Sequence, residues 1–316
     1  MERFEGRLAV VTGGGSGMGR ELVLQLVAEG CAVATCDVRD EALAETARLA
    51  AATTPGVRVT THRCDVADEA AVLAFRDEVV AEHATDHIDL LFNNAGIAGG
   101  GSFLLAPREE WERTFAIDWF GVYHCSRAFV PLLVAAEEAA LVNTSSVNGF
   151  WASLGPGTAH TAYSTAKFAV KGFTESLIGD FALNAPHVSV HLVMPGHIGT
   201  EIIENSRLVR GGSPPATMTA AEIADARAEF ERLGFPVGHL DDDRIRAMLA
   251  GVGEHFRVNA PMSAAEAATV ILDGVRAGRW RILVGADAVA LDERVRSDPE
   301  SVYGPSGPAL RSVVPG

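Results

Sequence analysis

The chain has 316 residues, 48% hydrophobic and 21% charged, an ordinary globular composition that excludes a disordered chain and suffices for one large core. A formal charge of −15 and an isoelectric point near 5.1 argue against a broad basic face, and so against nucleic acid or an anionic membrane as partner. The four cysteines, Cys31, Cys36, Cys64 and Cys125, show neither a CxxC pair nor Cys/His metal spacing, so reduced core thiols and no metal site are expected.

The opening residues, MERFEGRLAV, run directly into a strand-like segment. With no apolar leader there and no run of about 20 apolar residues anywhere, a soluble cytoplasmic protein is expected. Short β-branched runs then alternate with longer segments of helical period. LAVVTG (8–13), CAVATCD (31–37), VRVTTHRCD (57–65), IDLLFNN (88–94), AALVNTSS (139–146) and VSVHLVMPG (188–196) read as strands. Helical patterns lie between them at 18–29, 40–52, 68–83, 107–135 and 161–184. Buried strands separated by helices predict an α/β fold, a doubly wound parallel sheet covered on both faces.

After residue 200 the pattern changes. VRGGSPPATM (209–218) is rich in Gly and Pro, the segments 220–233, 241–252 and 263–278 read as helices, and RWRILVG (279–285) reads as a last strand. The expected organisation is a single domain over 1–316, with a helical insertion at 200–262 acting as a lid and an irregular Pro-rich tail at 297–316.

The first strand–helix junction, LAVVTGGGSGMGREL, places Gly13, Gly14, Gly15, Gly17 and Gly19 together. Glycine lets the backbone turn tightly and approach a pyrophosphate, whose charge is met by backbone N–H groups and the positive helix end. A tight turn with no ligand is the plain alternative. Asp37 argues against it, because it closes the next strand about twenty residues on, where a carboxylate accepts hydrogen bonds from adenosine ribose hydroxyls. The same carboxylate repels a 2′-phosphate. Neither Ser16 nor Val38 supplies a base to receive one, and Arg39 is expected to point to the other side of the strand end. NAD is therefore expected, with NADP less favoured.

In TAYSTAKFAV (161–170), Tyr163 and Lys167 stand one helical turn apart on one face. Of 26 basic residues only Lys167 and Lys171 are lysines, so a chain that otherwise uses arginine keeps an ammonium here.

TGGGSGMG at 12–19, NNAG at 93–96, the serine pair at 145–146, YSTAK at 163–167 and PGHIGT at 195–200 occur in the order and rough spacing of the short-chain dehydrogenases/reductases. The chain resembles that family over about 5–200 and more loosely over 263–290. The resemblance implies a Rossmann-like fold, with Tyr163 as the proton-transfer residue, Lys167 as its partner and Ser146 as the ligand of the substrate oxygen, Ser145 being the alternative. For the cofactor it implies Gly13, Ser16, Gly17, Met18 and Gly19 in the loop, Asp37 at the ribose, and Asp65 and Val66 beside the adenine. Asn93, Ala95 and Gly96 are implied as the cleft wall, with Pro195, Gly196, Ile198 and Thr200 meeting the nicotinamide. Tyr163 and Lys167 are implied to contact the cofactor as well, and a homo-oligomer is implied through the helices at 107–135 and 161–184.

The chemistry follows from those residues. Oxidising a secondary alcohol removes a hydride from carbon and a proton from oxygen, and the cofactor handles only the hydride. A free phenol, with a pKa near ~10, needs nearby cations to act as a base at neutral pH, and the lysine ammonium and an oxidised nicotinamide are the two expected. The leading expectation is an NAD-dependent alcohol dehydrogenase or carbonyl reductase acting on a hydrophobic alcohol or ketone. An NADP-linked biosynthetic reductase and a catalytically silent nucleotide-binding scaffold are the alternatives.

The family usually has Asn where FAIDWFGVYH places Asp118. Either Asp118 keeps a proton-relay role and pairs with Lys167, or it meets a backbone group and only shapes its helix. Phe150 and Trp151 suggest an apolar substrate wall or plain packing, and His160 and His197 are expected to flank the cleft.

Overall fold

The computed structural model describes residues 1–155, 158–232, 235–304 and 307–308. Seven parallel strands form the central sheet: β1 (Leu8–Thr12), β2 (Ala32–Asp37), β3 (Val59–Arg63), β4 (Leu90–Asn93), β5 (Ala139–Thr144), β6 (Val188–Pro195) and β9 (Arg281–Val284). Their order is β3-β2-β1-β4-β5-β6-β9. Successive side chains of a strand point to opposite faces, and here both faces are covered. In β1, Leu8 and Val10 join the core under α3 (Glu69–His83), α5 (Gly121–Val134) and α6 (Thr161–Asn184). Ala9 and Val11 join the core under α1 (Gly17–Ala28) and α10 (Ala264–Arg276). Each fully buried Leu, Val or Phe contributes about 1.5–3 kcal/mol, which explains why these strands read as unbroken apolar runs.

The remaining elements follow from local signals of differing strength. Helix α2 (Asp40–Thr53) follows β2, and α10 starts at a capping box between Ser263 and Glu266. The segment expected as one helix over 107–135 is α4 (Arg108–Phe115), a π turn at Ala116–Phe120, and α5. In that turn the Gly121 N–H reaches back five residues to the Ala116 carbonyl. The extra residue per turn rotates Asp118 into the protein.

The insertion holds α7 (Ile202–Val209), α8 (Ala220–Arg232) and α9 (Asp242–Val258). Met218, Ile223, Phe230, Val237 and Ile245 form its own small core. A two-stranded pair, β7 (Ile198–Gly199) with β8 (Met262–Ser263), ties its two ends together. Helices α7 and α11 (Ala286–Ser297) were not expected from the sequence. Of the tail, a 3-10 turn at Ser301–Tyr303 packs on the body, and 305–306 and 309–316 lie outside the described residues.

Strand order reverses between β1 and β4, so a crevice opens at the carboxyl ends of the strands. The glycine loop follows β1, NNAG straddles the end of β4, the serine pair follows β5, and PGHIGT follows β6.

Candidate active site

At the end of β1, the Gly13 and Gly14 N–H groups donate to the Cys36 carbonyl at 2.8 and 3.1 Å, which folds the loop back over β2. Gly13 and Gly17 have φ of +70° and +52°, a backbone that favours glycine. A Cβ on Gly13 would lie 2.8 Å from the Ala95 backbone, so the loop passes too close to NNAG for any other residue. The result is an open cleft lined by Gly13, Ser16, Gly17, Met18, Gly19, Asp37, Asp65, Val66, Ala95, Gly96 and Thr200. Loop, helix N-terminus and ribose-side carboxylate together fit the pyrophosphate and adenosine of a dinucleotide.

Two carboxylates shape the adenosine end. Asp37 accepts the Gly15 N–H at 3.1 Å through Oδ2 and the Arg39 N–H at 3.1 Å through Oδ1. Asp65 accepts the Ala67 N–H at 3.0 Å and the Arg113 guanidinium at 2.6 Å. The structure corrects the expected direction of Arg39: its side chain turns into the cleft, where Nη2 donates to Ser16 Oγ at 3.0 Å and Nη1 to Asn205 Oδ1 at 2.7 Å. Strand-end twist and the pull of Asp37, whose Oδ1 lies 3.6 Å from Arg39 Nε, override simple alternation.

Asn93 is also corrected. It points into the sheet, not the cleft, donating to Ser126 Oγ at 3.0 Å and Asn143 Oδ1 at 2.8 Å, while Asn94 takes its place in the wall. Asn143 in turn donates to Thr174 Oγ1 at 3.0 Å. This buried chain of hydrogen bonds, each worth about 1 kcal/mol net, ties β4, β5, α5 and α6 together and so fixes where α6 presents its side chains. In the PGHIGT segment, Thr200 lines the cleft. Pro195 ends β6, Gly196 bonds to the Val284 carbonyl at 2.9 Å, and Ile198 is buried in the core.

Helix α6 lacks a side-chain cap; its first N–H groups, on Thr161 and Ala162, donate to the Gly101 and Gly100 carbonyls at 3.0 and 3.1 Å. One turn in, Tyr163 and Lys167 face the strand ends, with Lys167 Nζ 5.3 Å from the Tyr163 ring centre. Lys167 Nζ donates to the Thr144 carbonyl at 3.2 Å and lies 3.2 Å from Asp118 Oδ1. Asp118 Oδ1 also accepts the Ile97 N–H at 3.2 Å, and its Oδ2 has no partner among the described residues. A Cβ on Gly96 would come within 2.5 Å of Asp118 Oδ1 and 3.2 Å of Lys167 Nζ. The ammonium thus sits directly behind the cleft wall.

The serine pair divides its work. Ser145 Oγ donates to the Lys167 carbonyl at 2.7 Å and is used up in holding α6. Ser146 accepts the Asn148 N–H at 3.1 Å and stands by Tyr163, whose phenol it lowers, which makes it the serine that faces the phenol.

Burial is the main electrostatic force here. It raises Asp118 to about 6 against the pull of Lys167. Burial would lower Lys167, but Asp118 and Tyr163 outweigh it, and the ammonium is held above its ordinary value. From the protein groups alone, burial raises the Tyr163 phenol and Asp118 adds to the rise, while Lys167 and Ser146 offset only part; the expected lowering rests on the positive nicotinamide as well. One cation, opposed by Asp118, does not overcome desolvation.

Four aromatic expectations resolve differently. Trp151 is fully buried and donates from Nε1 to the Val302 carbonyl at 3.2 Å, and Phe150 lies under the Arg281 guanidinium, so both serve packing of the tail and α11. His197 is buried and bonds through Nε2 to the Phe256 carbonyl at 2.7 Å, which fastens α9 to the sheet. His160 alone stays by the site, its ring 4.6 Å from that of Tyr163 and lowered to about 4 by burial, hence neutral.

Arg113, Asn205 and Ile202 also line the cleft. They sit in helices whose sequences carry no ligand motif, and no local signal marks them.

The short chain dehydrogenase family matches residues 7–210 of the chain. The chain belongs to that family. As a short-chain dehydrogenase it is an oxidoreductase acting on CH–OH groups. It is 36% identical over 296 residues to SadH of Mycobacterium tuberculosis, described as an oxidoreductase, with 94% of this chain and 92% of that protein covered. The structure of a short-chain dehydrogenase/reductase from Burkholderia phymatum in complex with NAD superposes with a TM-score of 0.75 at 27% identity, covering 98% and 99% of the two chains. A metagenomic short-chain oxidoreductase in complex with NADP superposes at 0.54 with 30% identity, covering 61% of this chain and 83% of that one. The short-chain dehydrogenase fold thus accompanies either nucleotide. Among the described residues no helix is long and apolar enough to cross a membrane.

Proposed function

We propose that the protein interconverts a secondary alcohol and a ketone with NAD, using Tyr163 as general acid and base. The observation that carries this reading is the convergence of Tyr163, Ser146 and Lys167 at the strand ends, with the ammonium directly behind Gly96 of the dinucleotide cleft.

When bound, the nicotinamide would supply or accept the hydride. The chain does the rest. Tyr163 Oη donates its proton to a ketone oxygen in reduction and takes the alcohol proton in oxidation. Ser146 hydrogen-bonds the same oxygen as its charge grows. Lys167 stabilises the phenolate form and would also hold the ribose of the nicotinamide. Asp118, on the far side of Lys167, holds the ammonium in place and links it to proton exchange.

The raised Tyr163 favours the neutral phenol, the form that protonates a ketone. Oxidation needs the second cation of an oxidised nicotinamide to bring the phenol down. NAD is favoured over NADP by Asp37, whose carboxylate lines the cleft at the end of β2 and repels a 2′-phosphate. Arg39 favours the second reading, an NADP-linked reductase, because its guanidinium lies in the same cleft. Titration with NADH and NADPH decides between them, and clearly tighter NADPH would overturn the first.

The substrate is a medium-sized hydrophobic alcohol or ketone, approached from the insertion side, in a cytoplasmic enzyme. A homo-oligomer fits the aromatic face of α4, α5 and α6. There Trp119 packs on Phe173 at 5.5 Å, and Phe120, Tyr123 and Phe168 stay exposed. A monomeric mass in solution would contradict that assembly.

A further inference from the structure

Helix α7 opens the insertion that follows the substrate side of the sheet, yet Ile202, Asn205 and Val209 line the nucleotide cleft. The helix is held from the far end as well: Ser206 Oγ accepts the Ala98 N–H at 2.7 Å, and Arg210 Nη1 bonds the Ala98 carbonyl at 2.9 Å and Glu110 at 2.8 Å. At the near end Asn205 closes a triangle. Its Nδ2 donates to Ser16 Oγ at 2.9 Å, its Oδ1 accepts Arg39 Nη1 at 2.7 Å, and Arg39 Nη2 donates to the same Ser16 Oγ at 3.0 Å. Arg39 Nε lies 3.6 Å from Asp37. All three nitrogens of this guanidinium are therefore directed at the protein, beside the carboxylate expected at the adenosine ribose.

Resting on the proposal of NAD as cofactor, we propose that Asn205 is a positioning residue for cofactor choice. By holding Arg39 against Ser16, it keeps the guanidinium from forking onto a 2′-phosphate. A planar guanidinium binds a phosphate dianion bidentately when two of its N–H edges are free. In this chain Nη1 and Nη2 already donate, Nη1 to Asn205 on a helix of the insertion and Nη2 to the Ser16 that Asn205 also holds, so the insertion sets the nucleotide preference of the cleft. Asn205→Ala removes the acceptor on Nη1 and a second donor on Ser16. Arg39 then has a free edge within the cleft, and the repulsion by Asp37 is partly offset.

The test is equilibrium binding of NADH and NADPH by fluorescence titration, with 2′,5′-ADP and 5′-AMP as fragments that cannot react. Asn205→Ala is expected to improve the NADPH-to-NADH affinity ratio, and the 2′,5′-ADP-to-AMP ratio with it, by about tenfold, the factor that 1.4 kcal/mol represents. Arg39→Ala/Asn205→Ala is expected to lose that gain, and Asn205→Asp to keep the wild-type ratio or sharpen it. A merely structural role for Asn205 weakens both nucleotides alike and leaves the ratio unchanged, which overturns the proposal. A gain that persists in the double variant overturns it too. A wild-type protein that prefers NADPH contradicts the NAD reading and is seen before any variant is made. The change of ratio on substitution is a separate measurement.

Discussion

Asp118 Oδ1 lies 3.2 Å from Lys167 Nζ, and both side chains are closed off from solvent. The pair sits at a π turn that no periodicity announces, and it places a carboxylate behind the lysine where the family usually has an amide. A carboxylate carries charge that an amide does not, so its effects depend on pH.

Asp118 raises Tyr163 when ionised, and removing its charge favours the phenolate. In Asp118→Asn the alkaline limb of the pH–rate profile for alcohol oxidation is expected to move to lower pH. The inflection that Asp118 contributes near its own value of about 6 is expected to vanish. The loss in kcat is expected to stay below the ~10²-fold typical of removing a direct acid or base, because Asp118 acts through Lys167. A profile identical to that of the wild type would reduce Asp118 to a structural residue.

The same group links stability to pH. Its folded pKa, about 6, is above the ordinary carboxylate value, so the folded chain binds more protons than the unfolded chain between about pH 4 and 6. Its contribution is full below that window and is lost as pH rises through 6, with a slope of at most about 1.4 kcal/mol per pH unit. His160 works in the opposite direction: lowered to about 4, it favours the folded state above the ordinary histidine value and loses that effect as pH falls. Denaturant titrations of wild type and Asp118→Asn across this window cancel the histidine. Their difference is expected to show the Asp118 slope, and parallel curves would contradict it.

The two serines are expected to separate. Ser145→Ala removes the bond to the Lys167 carbonyl and is expected to cost about 1 kcal/mol of stability with little change in kcat. Ser146→Ala removes the hydroxyl facing Tyr163 and the acceptor of the Asn148 N–H, and is expected to lower kcat by about 10²–10³-fold at a stability cost similar to that of Ser145→Ala. Thermal melts and ketone-reduction kinetics on both variants check this; equal kcat losses would mean that Ser145 also serves the reaction.

How far the sequence reached depends on how local each feature is. The glycine loop, Asp37 and the Tyr163–Lys167 pair are set by neighbours in the chain, and all three sit where their spacing indicates. The seven strands were legible because burial on both faces leaves unbroken apolar runs. Asn93, Arg39 and His197 were misplaced because their direction depends on partners such as Asn143, Asn205 and Phe256, which lie far away in sequence. Helix α7 was hidden by its Gly/Pro-rich sequel, and α11 by mixed charges directly after the last strand.

The proposed role of Tyr163 is transfer of the proton that accompanies hydride transfer. It is tested most directly by NADH consumption with a panel of ketones, run on wild type and Tyr163→Phe with NADH binding measured in parallel. Turnover by the wild type is expected, with a loss of about 10²–10⁴-fold in kcat in the variant and NADH still bound. Turnover that survives the substitution would contradict it.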